Sequence, residues 1–211
     1  KEEADLVLFI GDNAYIDVGE YRHKSATNYQ IWKRHFETRL AVQFFYQKKL
    51  IPTLAVWDDH DYGKNNGGVE FANKQAAAHA LKSFFPHPPI TTGLEYGPGI
   101  SYFLTNSKVD IMFLDNRSFR EQKGQSNHLG QQQLNFFKKV TSKSDKPLLI
   151  VKGDQYYGDY HQYESYKGYH PEEFKRFNDI YFSLNRSKLL ISGDRHLSEI
   201  LKFGKDSYEI T

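Results

Sequence analysis

Four short acidic motifs, each placed directly after an apolar run, constrain this chain more than any other feature. They are Gly11-Asp12-Asn13-Ala14-Tyr15, Trp57-Asp58-Asp59-His60-Asp61, Leu114-Asp115-Asn116-Arg117 and Ser192-Gly193-Asp194-Arg195-His196. The runs before them, LVLFI, LAV, VDIMF and KLLI, read as buried parallel strands. In open α/β folds ligands bind at the carboxyl ends of the strands. Carboxylates and imidazoles from distant parts of the chain are therefore expected to converge on one edge. Such a convergence makes a metal site with oxygen and nitrogen ligands.

The 211 residues suffice for one α/β domain with a full core. Charge is balanced, 28 basic residues against 26 acidic, which gives no strong signal for nucleic acid or an anionic membrane. No apolar stretch approaches the roughly 20 residues of a membrane helix. Cysteine is absent, so thiolate catalysis, disulfides and cysteine metal sites are excluded within this span. A core strand begins at Leu6 and a strand-like segment runs to Thr211, so the chain reads as an excised domain.

Strands are expected over Leu6–Ile10, Pro52–Trp57, Leu148–Val151 and Leu189–Ser192. Hairpin pairs are expected over Ile100–Thr105 with Val109–Leu114, and over Glu199–Phe203 with Tyr208–Thr211. Helices are expected over Asn28–Leu50, Phe71–Phe85, Gly130–Val140 and from Pro171 onward. In the first, Trp32, Phe36, Leu40 and Phe44 form one apolar stripe. Pro171 and the following Glu172 and Glu173 suit a helix start. The four prolines between Pro86 and Gly99 read as a crossing loop, and the tyrosine-rich Gln155–His170 reads as another.

Asp12 follows a glycine that lets backbone approach a ligand, and its carboxylate can bridge two cations. Tyr15, three residues on, can bring a phenol to the same ion; a tyrosinate favours a hard metal such as ferric iron. The alternative is a turn in which Asp12 caps a helix. Asp58, Asp59, His60 and Asp61 repel one another unless a cation or an arginine compensates. Asp59 is the expected ligand there, with His60 protonating a leaving oxygen or stabilising developing charge. Arg117 can grip a phosphate oxygen or form a structural ion pair with Asp115. Arg120 is read as structural. Asp194 and His196, at i and i+2, can point to one side of an extended loop as a metal pair; the alternative is Asp194 bonded to Arg195 with His196 on the surface. His23, His35, His79, His87, His128, His161 and His170 are read as surface or core residues.

In order, these motifs resemble the alkaline phosphatase D (PhoD-like) branch of the calcineurin-like metallophosphoesterase superfamily, and the resemblance spans Asp12 to His196. It implies a two-sheet β-sandwich flanked by helices, and hydrolysis of phosphate monoesters or diesters by a metal-bound hydroxide. It puts Asp12 in the bridging role, Tyr15 at the ferric tyrosinate position and Asp59 where most relatives carry an asparagine ligand. His60 matches the phosphate-facing histidine, and Asp194 and His196 match the last pair of ligands. Asn65 or Asn66 supplies a further ligand or phosphate contact. Iron with calcium is the implied metal pair, with manganese, magnesium or zinc as alternatives.

Two departures stand out. The superfamily's first motif has no counterpart and would lie upstream of Lys1, so residues 1–211 are read as a partial, N-terminally truncated metallophosphoesterase domain. Gly153-Asp154-Gln155 stands where relatives have a middle histidine ligand. The resemblance also suggests export. A rival from another class is a non-catalytic domain of the same fold that holds metal or a phosphorylated ligand. A nuclease is a third reading, and it requires a basic strand-tracking groove.

Overall fold

The computed structural model describes residues 4–19, 24–42, 51–87, 93–122, 127–158 and 165–211. Its elements, in chain order, begin with β1 (Val7–Ile10), α1 (Asn28–Ala41), β2 (Thr53–Val56) and α2 (Asp59–Tyr62). Next come α3 (Lys74–Phe84), β3 (Leu94–Tyr96), β4 (Tyr102–Thr105), β5 (Asp110–Phe113) and α4 (Gln131–Thr141). The chain closes with β6 (Leu148–Val151), α5 (Tyr166–Tyr169), α6 (Pro171–Ser183), β7 (Lys188–Ile191), β8 (Ile200–Gly204) and β9 (Ser207–Ile210).

β1 and β2 pair in parallel, with Leu8 opposite Leu54. The remaining strands form a mixed sheet of order β3-β4-β5-β6-β7-β9-β8. β5, β6, β7 and β9 run parallel, and the antiparallel pairs β3-β4, β4-β5 and β8-β9 close the two flanks. Successive side chains of a strand point to opposite faces, so each central strand feeds two cores. Ile111 and Phe113 of β5, with Val151 of β6, join Leu54 and Val56 of β2 and Ala77, Ala80 and Leu81 of α3. Met112 and Leu114, with Leu148 and Ile150, instead join Leu134 and Phe137 of α4 and Phe174, Phe177 and Tyr181 of α6. Helices thus cover the mixed sheet on one face. On the other, the β1-β2 pair shares a core with it, and the Tyr102 hydroxyl donates 3.2 Å to the Ala55 carbonyl.

Four expectations need correction. α1 ends at Ala41, because Val42 is already extended; residues 43–50, Phe44 included, lie outside the described residues. The Trp32, Phe36 and Leu40 stripe is exposed (40%, 54% and 53%), and α1 buries Ile31 and His35. Both sets share the i, i+4 spacing, so periodicity could not choose between them. The choice falls to α3, whose Phe84 stacks on His35 at 5.6 Å. The stretch from Pro86 to Gly99 contains β3, which pairs through backbone groups with β4 and needs little of its own propensity. The tyrosine-rich segment ends in the short helix α5, capped by Ser165, whose hydroxyl accepts from the Gly168 N–H at 2.9 Å. His23 and His161 lie outside the described residues.

Candidate metal centre

The four motifs meet at the carboxyl ends of β1, β2, β5 and β7. Close backbone approach makes this possible. Gly11 has φ +99, and a Cβ there would stand 2.8 Å from Asp58 Cβ. A Cβ on Gly153 would stand 2.6 Å from the Trp57 carbonyl oxygen. The Gly193 N–H then donates 2.7 Å to the Gly153 carbonyl, tying the end of β7 to the end of β6.

α2 sorts the acidic run into three directions. Asp61 turns back to the first loop and accepts from the Ala14 N–H at 2.5 Å, from Asn13 Nδ2 at 3.1 Å and from the Asp58 N–H at 3.1 Å. Asp58 turns inward, where its Oδ1 receives Arg117 Nε and Asn116 Nδ2, each at 2.6 Å. Asp59 faces the site; its carboxylate accepts from the Asn66 N–H at 2.7 Å and from the His60 N–H at 3.0 Å. Each carboxylate takes separate partners, yet burial and the neighbouring carboxylates still hold the Asp58 and Asp61 carboxyls above their usual range.

Asp12 sits at φ 51, with its Oδ2 receiving the Tyr15 hydroxyl at 3.1 Å. The same hydroxyl lies 3.2 Å from His196 Nε2, so the first and last motifs touch. The Tyr15 ring stacks on His60 with centroids 4.2 Å apart. The last loop is not extended as expected: Asp194 and His196 both hold left-handed backbone, φ 70 and 53, Asp194 is paired with Arg195, and His196 is exposed. Among the described residues, ligand atoms of Asp12, Asp59 and His60 lie within 4.8 Å of one another, as do those of Asp58, Asp59 and Asp194. His196 is in neither group, and it joins the cluster through Tyr15.

Arg117 is buried to zero exposure, and its Nη2 lies 2.6 Å from Asp58 Oδ1 and 3.8 Å from Asp59 Oδ1. Its ion-pair partner is Asp58. Asp115 instead accepts from backbone at Arg117 and Ser118 and from the Trp57 indole at 2.9 Å. Arg120 donates to the Asn66 carbonyl at 2.8 Å, the structural role expected of it. Asn65 and Asn66 are exposed, and Asn66 meets Asp59 through its backbone N–H.

Two further participants join them: Asp17, which carried no sequence signal, and Asp154, marked in the sequence only as part of the motif that replaces a middle histidine. Asp17, nearly fully buried, accepts His60 Nδ1 at 2.6 Å. Asp154 is fully buried and receives Asn116 Nδ2 at 2.7 Å and Lys152 Nζ at 2.6 Å, with His128 Nε2 at 3.2 Å. Lysine and arginine charge here neutralises the carboxylates from behind.

Electrostatics follow from this packing. Burial and the nearby Asp59 charge push the Asp12 carboxyl up, against His60, Tyr15 and Arg117. Burial also acts on Asp59, but Arg117, His60 and two backbone N–H groups overcome it and hold the carboxyl below its usual range. Burial lowers His60, and the Asp17 hydrogen bond with the charges of Asp59 and Asp12 outweighs it, lifting the imidazole to about 9.

The residues fit a cation. Asp12 Oδ1 is buried without a hydrogen-bond partner, an arrangement that is costly unless a positive ligand completes it. Oxygen donors dominate and one or two imidazoles join them, a set that suits hard cations.

Compared with known proteins, the chain matches a solved structure entitled "Structure of PhoD" with a TM-score of 0.71 over 100% of its own length. The chain has the fold of PhoD. Identity is 20%, and the chain spans about half (51%) of the length of that PhoD chain. No family model matches the sequence, and no curated protein matches it. The resemblance to PhoD first seen in four short motifs thus extends to the whole backbone. Among the described residues, no helix is long and apolar enough to cross a membrane.

Proposed function

We propose that this chain carries the metal-binding face of a phosphoesterase that hydrolyses phosphate monoesters or diesters. The observation that carries the proposal is the orphaned, buried Asp12 Oδ1 beside Asp59 and His60, at the strand ends of a PhoD-like fold. In this reading Asp12, Tyr15, Asp59, Asp194 and His196 hold the ions, and the β1-β2 pair and the mixed sheet are the two layers of a sandwich. Iron with calcium is the proposed pair, with manganese, magnesium or zinc as alternatives. When bound, the ions supply Lewis-acid polarisation and acidify a coordinated water.

The chain's own residues do the rest. His60, oriented through Nδ1 by Asp17, presents Nε2 and a positive charge to a phosphoryl or leaving-group oxygen. Asn65 or Asn66 adds a polar contact at the exposed rim. Arg117 acts from behind: its guanidinium keeps Asp58 and Asp59 compatible with one another. Its contribution to phosphate binding is therefore electrostatic.

Turnover of bis-p-nitrophenyl phosphate, followed with chelator and then with each metal restored, tests the proposal. Metal-restored turnover that disappears in Asp12→Asn and His196→Ala is the expected result. Full turnover in both variants overturns the site assignment. Stoichiometric metal binding by a folded chain without turnover would mark a binding domain.

A further inference from the structure

We propose a second site, a cationic groove along α3 that binds single-stranded polyphosphodiester. A cavity of about 580 Å³ opens beside Lys74, Gln75, Ala78, His79 and Lys82, the spacing of a single helix face. The opposite face of α3 carries Ala77, Ala80 and Leu81 into the core. Across the groove stand Ser118, Phe119 and Gln132. Among the described residues no carboxylate lines it, although the chain as a whole is almost neutral. The metal centre is crowded with aspartates, so charge is segregated between the two places.

The spacing of the cations selects the ligand. Lys74 and Lys82 are eight residues apart, about 12 Å along the helix, with His79 between them. That suits a chain of charges better than a single phosphate. Lys74 spends one N–H on the Val69 carbonyl, at 3.0 Å, and keeps two donors. Lys82 also lines an adjoining cavity of about 330 Å³ with His87 and the exposed Tyr96, so the path continues past the end of α3. Phe119 in the first cavity and Tyr96 in the second offer aromatic faces for bases, and polar Gln75, Gln132 and Ser118 line the path between the charges. The cavity lies within the range of ordinary ligand sites, roughly 300–1,000 Å³.

Binding here needs neither metal nor hydrolysis, and this separates the inference from the function proposed above. The test is fluorescence anisotropy of a labelled oligothymidylate with chelator present, across a salt series. Two lysine–phosphate contacts give a slope of log K against log salt of about −1.4. The Lys74→Gln/Lys82→Gln variant is expected to bind at least about 5-fold more weakly at low salt, with a slope near zero. Asp59→Asn should bind like the parent protein. Binding that survives the double lysine substitution overturns the proposal, and so does the absence of binding at low salt by folded protein.

Discussion

His60 shows how one side chain depends on neighbours that the sequence does not place beside it. Its imidazole is lifted to about 9 because Asp17 holds Nδ1 at 2.6 Å while Asp59 and Asp12 lie close. The folded protein therefore binds a proton that the unfolded chain releases above its ordinary value of 6.5. The stabilisation is complete below that value and fades as pH rises toward 9. NMR titration of metal-free protein should place the His60 midpoint near 9. Asp17→Asn should move it down toward the ordinary value, and an unmoved midpoint would rule out Asp17 as the orienting group. Arg117 is the counterpart on the inner side. Arg117→Leu leaves Asp58 buried and uncompensated, with an expected loss of about 3–5 kcal/mol. The double variant Arg117→Leu/Asp58→Leu should recover part of that loss in urea denaturation, since it removes both charges together.

At the level of elements, α1 is the instructive case. The sequence offers two stripes at the same spacing, and the helix buries the less apolar one, Ile31 with His35. Burial lowers the His35 imidazole to about 4. Between 6.5 and 4 the unfolded chain binds a proton that the folded chain refuses, so stability falls as pH falls through that window. By pH 5 the loss is about 2 kcal/mol. Thermal denaturation of the wild type and of His35→Phe across this range checks it: the variant should lose less stability on acidification. Identical pH profiles would show that His35 takes up its proton without strain. The start of α6, by contrast, was legible, because Pro171, Glu172 and Glu173 are local signals that act on the helix end itself. The sharp turn of α2 was not legible. Its capping box, in which Asp61 accepts from the Asp58 N–H, is anchored by the same carboxylate accepting from the Ala14 N–H, 47 positions away.

Over the whole molecule, the site exists because loops from β1, β2, β5 and β7 are drawn to one edge. Gly153, which sequence reading marked only as the place of a missing histidine, is a packing requirement of that edge. A side chain there would collide with Trp57 and Asp58. Gly153→Val should therefore cost stability and metal affinity together, measured by denaturation and by metal titration; loss of neither would mean that the edge can open without consequence. The sequence by itself marked most of the strands, the starts of α1 and α6 and the residue types gathered at the strand ends, because apolar runs, turn residues and caps act locally along the chain; β3, α2 and α5 carried no such signal. Only the tertiary structure decided that Asp58, rather than Asp115, faces Arg117. It also decided which stripe of α1 is buried, that Asp17 supports His60, and that the lysines of α3 line a groove. Those outcomes depend on contacts between residues tens of positions apart, where burial and charge compensation outweigh local preference.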